Sequence, residues 1–167
     1  MRGLPRMLRL LPPTAMLTAI ASLGAPASAF GATTTDRLTV TATVQSSCAL
    51  NGGTLAFGTY LSGQTTHLDA VGRINYVNCS GTLTFELDGG QSGDVNNRVM
   101  LSGSNQLRYQ LYRNASRSAV WGLGNQAQQI QLLMPLTGTV DVFGRIPSGQ
   151  AVAPGSYSDT VNITLTF

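Results

Sequence analysis

The chain has no lysine, a single histidine (His67), a single glutamate (Glu86), one tryptophan (Trp121) and two cysteines among its 167 residues. Each scarcity removes a class of chemistry. A metal centre needs more ligands than two Cys and His67 supply. A Ser-His-Asp triad could run only through His67, which sits in the polar stretch Gln64-Thr65-Thr66-His67, where a solvated side chain is expected. The longest apolar run, roughly residues 10–25, is broken by Pro12 and Pro13 and closely flanked by charge, so it is a poor membrane span. No later segment does better.

That run reads instead as part of an export signal. Arg2, Arg6 and Arg9 form a positive n-region, and Ala27-Ser28-Ala29 fits a signal-peptidase site, so residues 1–29 are expected to be a leader and Phe30 the mature start. Three of the ten basic residues lie in the leader, which leaves seven arginines against seven Asp and Glu. The mature chain is thus near neutral, without the clustered basic face that nucleic-acid binding requires, and no span is expected after cleavage. Charged residues are only 10% of the sequence. About 138 residues remain, enough for one domain with a core and not for two.

In an exported chain, the pair Cys48 and Cys79 is most simply one disulfide. Closing a loop of about 30 residues restricts the unfolded chain by roughly 3–4 kcal/mol in the loop-entropy account.

From Asp36 onward the apolar pattern has period two, in short runs separated by turn residues, which specifies an all-β chain. Strands are expected over 38–45, 54–60, 74–79, 82–87, 98–101, 106–112, 130–135, 137–145 and 157–167. Turns fall at Asn51-Gly52-Gly53, Asp88-Gly89-Gly90, 102–105 and Pro154-Gly155. Spacing of this kind belongs to a sandwich or barrel.

In the last strand Tyr157, Asp159, Val161, Ile163, Leu165 and Phe167 share one face. It runs to Phe167, so no later strand is expected to cover its edge, and its last seven residues carry neither charge nor proline to blunt it. Near the other end Leu38, Val40, Ala42 and Val44 alternate with Thr39, Thr41, Thr43 and Gln45, after a small turn-prone tail, 30–36. By pattern alone, 38–45 is the domain's own first strand. If instead its four apolar side chains filled a groove in another subunit, their burial would contribute on the order of 6 kcal/mol.

Other constellations have plainer readings. Glu86 and Asp88 share a strand face, as a glycosidase pair would, but Asp88 leads into a Gly-Gly turn and reads as a turn-former. The oxygen-rich stretch 88–97 lacks the spacing and closing Glu of an EF-hand loop. Trp121, Tyr109 and Tyr112 could form an aromatic platform for a sugar, although core packing is the simpler reading.

The landmarks fall in a recognisable order: Val44-Gln45-Ser46-Ser47-Cys48, Phe57-Gly58-Thr59-Tyr60, Val77-Asn78-Cys79, Leu87-Asp88-Gly89-Gly90, Arg98-Val99-Met100, the run 107–114, and Val120-Trp121-Gly122. Val142-Phe143-Gly144-Arg145-Ile146, 155–161 and Leu165-Thr166-Phe167 follow. In this order the chain resembles the spore coat U domain family, subunits of archaic chaperone-usher pili, over essentially its whole mature length. Asn114 and Leu123 stand where that family often has acidic residues.

The resemblance implies an incomplete immunoglobulin-like β-sandwich, a pilin fold lacking its last strand, completed by a donor strand from another subunit or from a chaperone. It implies a leader at 1–29, a donor segment at 30–45 and a β-sandwich domain at 46–167. Leu38, Val40, Ala42 and Val44 would be the donor residues; Val161, Ile163, Leu165 and Phe167 would edge the acceptor groove. Other copies or related pilin subunits, a periplasmic chaperone and an outer-membrane usher are the implied partners. The implied place is the cell surface, as a fimbrium serving adhesion and biofilm formation, with no cofactor and no enzymatic activity. A self-completed secreted coat or sugar-binding adhesin module is the alternative.

Overall fold

The computed structural model describes residues 31–45 and 47–167; the expected leader lies outside them. The chain divides after Ala42 into two units. In the first, residues 31–42 contain no helix or strand and every one is exposed. The strand expected over 38–45 is therefore not formed. Alternation supplies a face, but a strand without a partner leaves its own backbone groups unpaired and is not stable by itself.

The unit from Thr43 to Phe167 is all-β, with no α-helix among the described residues. Its frame is a long antiparallel pair, β2 (Leu68–Leu87) with β6 (Gln128–Ile146). Sequence spacing divides each of these into two strands, because the apolar phase breaks inside them. On β2 the buried positions are Gly72, Ile74 and Tyr76 before the break, and Cys79, Leu83, Phe85 and Leu87 after it. The register slips between Tyr76 and Cys79 and again between Cys79 and Gly81. Asn78, with φ 53°, and Gly81, with φ 83°, supply the left-handed backbone that such a bulge needs. One extra residue flips the inward face from even to odd numbers, so both halves of the ribbon turn their apolar sides to the same core. The rings of Tyr76 and Phe85 come within 6.0 Å across the corner.

Each half takes on further strands. β1 (Ala49–Asn51) pairs with the first half of β2, opposite Asn75–Val77. β5 (Gln110–Tyr112) pairs with the end of β6, and β7 (Ile163–Thr166) with the second half of β2. β3 (Val99–Ser102) and β4 (Asn105–Arg108) make a separate hairpin turned by Gly103 at φ 58°. Cys48 and Cys79 are joined, with Cα atoms 4.3 Å apart, which fastens the start of β1 to the corner of β2.

Two further expected strands differ. Residues 54–60 form no ladder; they lie as a strap whose Leu55 and Phe57 press on the ribbon where it carries glycine. A Cβ on Gly144 would come within 2.7 Å of Phe57, and one on Gly72 within 2.9 Å of Leu55. Of residues 157–167, only Ile163–Thr166 are strand. Upstream, side chains take the amides that a ladder would use: Thr160 N–H donates to Asp159 (2.7 Å) and Asn162 N–H to Asp88 (2.9 Å). Ser158 exchanges two backbone bonds with Leu101 instead, at 2.9 and 3.1 Å.

Candidate functional site

A groove with an apolar floor opens between residues 53–62 and residues 152–163. One part, of about 280 Å³, lies between 53–57 and 157–163; a second, of about 820 Å³, lies between 55–62 and 152–157. The two parts share Leu55, Phe57, Met100 and Tyr157, so they are one continuous feature whose walls run in opposite directions. Ten residues of extended wall span about 33 Å. The walls meet at one end, where Gly63 N–H donates to the Gln150 carbonyl (2.8 Å) and Val152 N–H to the Ser62 hydroxyl (2.9 Å).

The floor is the core itself: Ile74, Leu87, Leu111 and Val142 are all buried and all border the first part. Along the walls Leu55, Phe57, Tyr157, Val161 and Ile163 are only partly buried. Neither wall has a ladder partner on the groove side among the described residues. Polar residues also line the groove, among them Thr54, Arg73 and Ser158 in the first part and Thr59, Ser62 and Ser156 in the second; Tyr109 and Asp159 are bonded to each other. The Tyr109 hydroxyl donates to the Asp159 carboxylate (2.7 Å), which also accepts from Gln91 N–H (2.8 Å). Burial, and after it this hydrogen bond, pushes the Tyr109 phenol well above its ordinary range, so it is a donor at every physiological pH.

Beneath this wall lies a residue to which the sequence attaches no role. Arg98 is wholly buried and is satisfied almost entirely by neutral oxygens. Its Nη2 donates to the carbonyls of Asp88 (2.7 Å), Trp121 (2.8 Å) and Leu87 (3.1 Å); Nη1 donates to Gln110 (2.7 Å) and Val95 (3.1 Å), and Nε to Asp88 (2.9 Å). Burial draws its pKa down, against the pull of Tyr109, Asp88 and Asp159. The available signal is an arginine opening an apolar run, Arg98-Val99-Met100, in a chain poor in charge. Asp88, fixed by Arg98 through its carbonyl, uses its carboxylate to hold Gly90 N–H (2.9 Å) and both nitrogens of Asn162 (2.9 and 2.6 Å), which pins the groove wall. Burial raises the Asp88 carboxyl, but these hydrogen bonds outweigh it and the net shift is downward.

Of the residues expected at the groove edge, Val161 and Ile163 line it. Leu165 packs against the core from β7, and Phe167 is 57% exposed. Leu38, Val40, Ala42 and Val44 are all exposed. The residues weighed for catalysis are dispersed. His67 is exposed and accepts from Ser148 N–H (3.0 Å); Glu86 accepts from Gly124 N–H (2.7 Å). Trp121 is wholly buried, its indole N–H donating to the Phe85 carbonyl (2.9 Å), and belongs to the core. Within 88–97, Asp94 spends its oxygens on Asn96 and Asn97 (2.8 and 2.7 Å), and no group of three metal-binding side chains occurs among the described residues.

Comparison with known proteins places the chain. Residues 34–164 match the Spore Coat Protein U domain, and the chain belongs to that family. It is 35% identical over 172 residues to Protein U of Myxococcus xanthus, an alignment covering 92% of this chain and 96% of that protein. Among solved structures it is similar to a chain of a chaperone–tip adhesion subunit pre-assembly complex from archaic chaperone-usher Csu pili of Acinetobacter baumannii. There the identity is 24% and the TM-score 0.45, over 72% of this chain and 39% of that one. It is similar also to a chain of a chaperone-usher pilus described in connection with rod uncoiling, at 18% identity and TM-score 0.48, over 80% of this chain and 95% of that one. The family is one of coat proteins, a structural class.

Proposed function

We propose that the chain is a structural subunit that polymerises by donor-strand exchange, each copy lending residues 37–45 to the groove of the next. The observation that carries this reading is the groove: an apolar floor of core residues between two extended walls that lack a partner on their facing edges. A strand laid there would satisfy backbone groups on both sides and cover Ile74, Leu111 and Val142 with alternate side chains. Nine extended residues reach about 30 Å, close to the length of the walls, and residues 37–45 offer Leu38, Val40, Ala42 and Val44 on one face.

In this reading the domain at 46–167 is an immunoglobulin-like sandwich short of one strand, residues 30–45 are the donor segment, and residues 1–29 direct export. A periplasmic chaperone fills the groove until an outer-membrane usher passes the subunit to its neighbour, and the product is a surface fibre of archaic pilus type serving adhesion and biofilm formation. Family membership and the disulfide, which belongs to an oxidising compartment, support this placement.

The test is Val40→Asp in the otherwise intact chain, co-expressed with the chaperone and usher. A charge in the centre of the donor is expected to abolish fibres while the subunit still accumulates with a thermal midpoint close to that of the parent. Fibres of normal length from this variant, or from a chain lacking residues 30–45, would overturn the reading.

A further inference from the structure

The corner of the β2–β6 ribbon exposes an apolar knob. Opposite the bulge at Asn78–Gly81, β6 carries its own excess: Cys79 pairs with Leu136 and Gly81 with Leu132, so three residues of β6, Leu133, Met134 and Pro135, face the single Ser80. Pushed out of the ladder, Leu133 is 95% exposed and Met134 61%, with Leu136 (44%) two residues further along the strand. Three exposed large apolar residues within four positions at one fold corner are unlike singly scattered surface residues and mark a contact surface. The knob also lies where residues 30–45 take root. The Asn78 side-chain amide donates to the Ser47 hydroxyl, Asn78 N–H donates to Thr137 (3.2 Å), and Cys48 is bonded to Cys79, the partner of Leu136.

We propose that Leu133, Met134 and Leu136 form a second subunit–subunit contact, buried against the copy of this chain whose groove holds the preceding residues 37–45. The inference rests on the donor-strand reading, and chain length carries it. Only Ser46 and Ser47 separate Gln45 from the disulfide-anchored Cys48, and three Cα steps reach about 11 Å at most. A groove that holds Gln45 therefore brings the body of its own subunit up against the surface around Cys48. That surface is the knob. The occupant is a second copy, and the contact restricts the swing that a two-residue linker would otherwise allow between neighbours.

Methionine oxidation reads both contacts in one experiment, because Met100 lines the groove and Met134 sits on the knob. Purified fibres and chaperone-free monomers of the full mature chain are exposed to hydrogen peroxide, and sulfoxide formation at each methionine is followed by mass spectrometry. In fibres, oxidation of Met134 is expected to slow at least tenfold relative to the monomer, with Met100 slowed as well. Met100 slowed and Met134 unchanged would overturn the second contact while leaving the groove reading intact; Met100 unchanged would remove the groove reading and this inference with it. Leu133→Ser combined with Met134→Ser is the companion test. These fibres are expected to assemble but to bend more sharply in electron micrographs, with a persistence length at least halved, and an unaltered persistence length would count against the contact.

Discussion

The two sides of the wall formed by residues 157–163 obey opposite rules. Around Arg98 every polar group is answered from within: a buried guanidinium has six hydrogen bonds, Asp88 and Asp159 have theirs, and Trp121 is sealed beneath them. Across the groove the same wall faces residues 53–62 over a gap with an apolar floor and no ladder between them. The first region finishes the fold and the second leaves it open. The difference teaches where stability is stored and where an edge is left open: polar closure behind the wall holds it in place, so that its other side can remain unpaired without collapsing onto the core.

That contrast can be broken most severely at Arg98. Arg98→Ala strips donors from the buried carbonyls of Leu87, Asp88 and Trp121, and we predict a loss of about 4 kcal/mol, read as a lowered denaturation midpoint. A loss under about 1 kcal/mol would mean that the region is not the closed half described here. Cys48→Ala comes next, at roughly 3 kcal/mol from the freed loop, with a sharp fall in periplasmic yield; unchanged thermal stability would contradict it. Gly144→Ala acts on the open half. Its new methyl meets Phe57 and Leu55, and forcing that strap outward should cost about 2 kcal/mol and lower fibre yield more than the stability loss alone explains, compared at matched stability with a variant remote from the groove.

The smallest effect sharpens the comparison through pH. The Asp88 carboxyl lies below its usual 3.8 in the fold, so its contribution is complete above that value and is lost as pH falls through the folded pKa. Asp88→Asn should cost about 1 kcal/mol at neutral pH and flatten the acid limb of the stability curve below about pH 4. Denaturant titrations at several pH values test this, and an acid limb parallel to that of the parent protein would refute it.

Much of the frame was legible because period two is a local signal: 74–79, 82–87 and 137–145 read as strands and lie within β2 and β6. Their union into two long strands was not, since the bulge at Asn78 inverts the apolar phase and looks like an ending. The strap 54–60 reads as a strand because Leu55 and Phe57 alternate, yet alternation reports a buried face and not a hydrogen-bonded edge. Residues 157–162 misled in the same way; Asp159 and Asp88 hold the amides of Thr160 and Asn162, and Ser158 alone bridges to a strand, at Leu101 of β3. At the groove, pattern puts Val161 and Ile163 on one strand face but only the family resemblance pointed to a groove edge there, whereas the floor and the Arg98 support behind it join residues up to some 70 positions apart, and no short-range pattern encodes such meetings.

The bond between Cys48 and Cys79 also sets a path for force. A pull on the chain before Cys48 does not have to peel the three-residue β1 from its neighbour, because the covalent link passes the load directly to the bulged centre of β2. From there it enters the longest strand among the described residues, which is paired with β6 on either side of the bulge, and a pull along that strand loads both arms in shear. Shear must break many hydrogen bonds together, where peeling breaks them one at a time. A tether fixed at that point converts tension into the loading mode that the fold resists best.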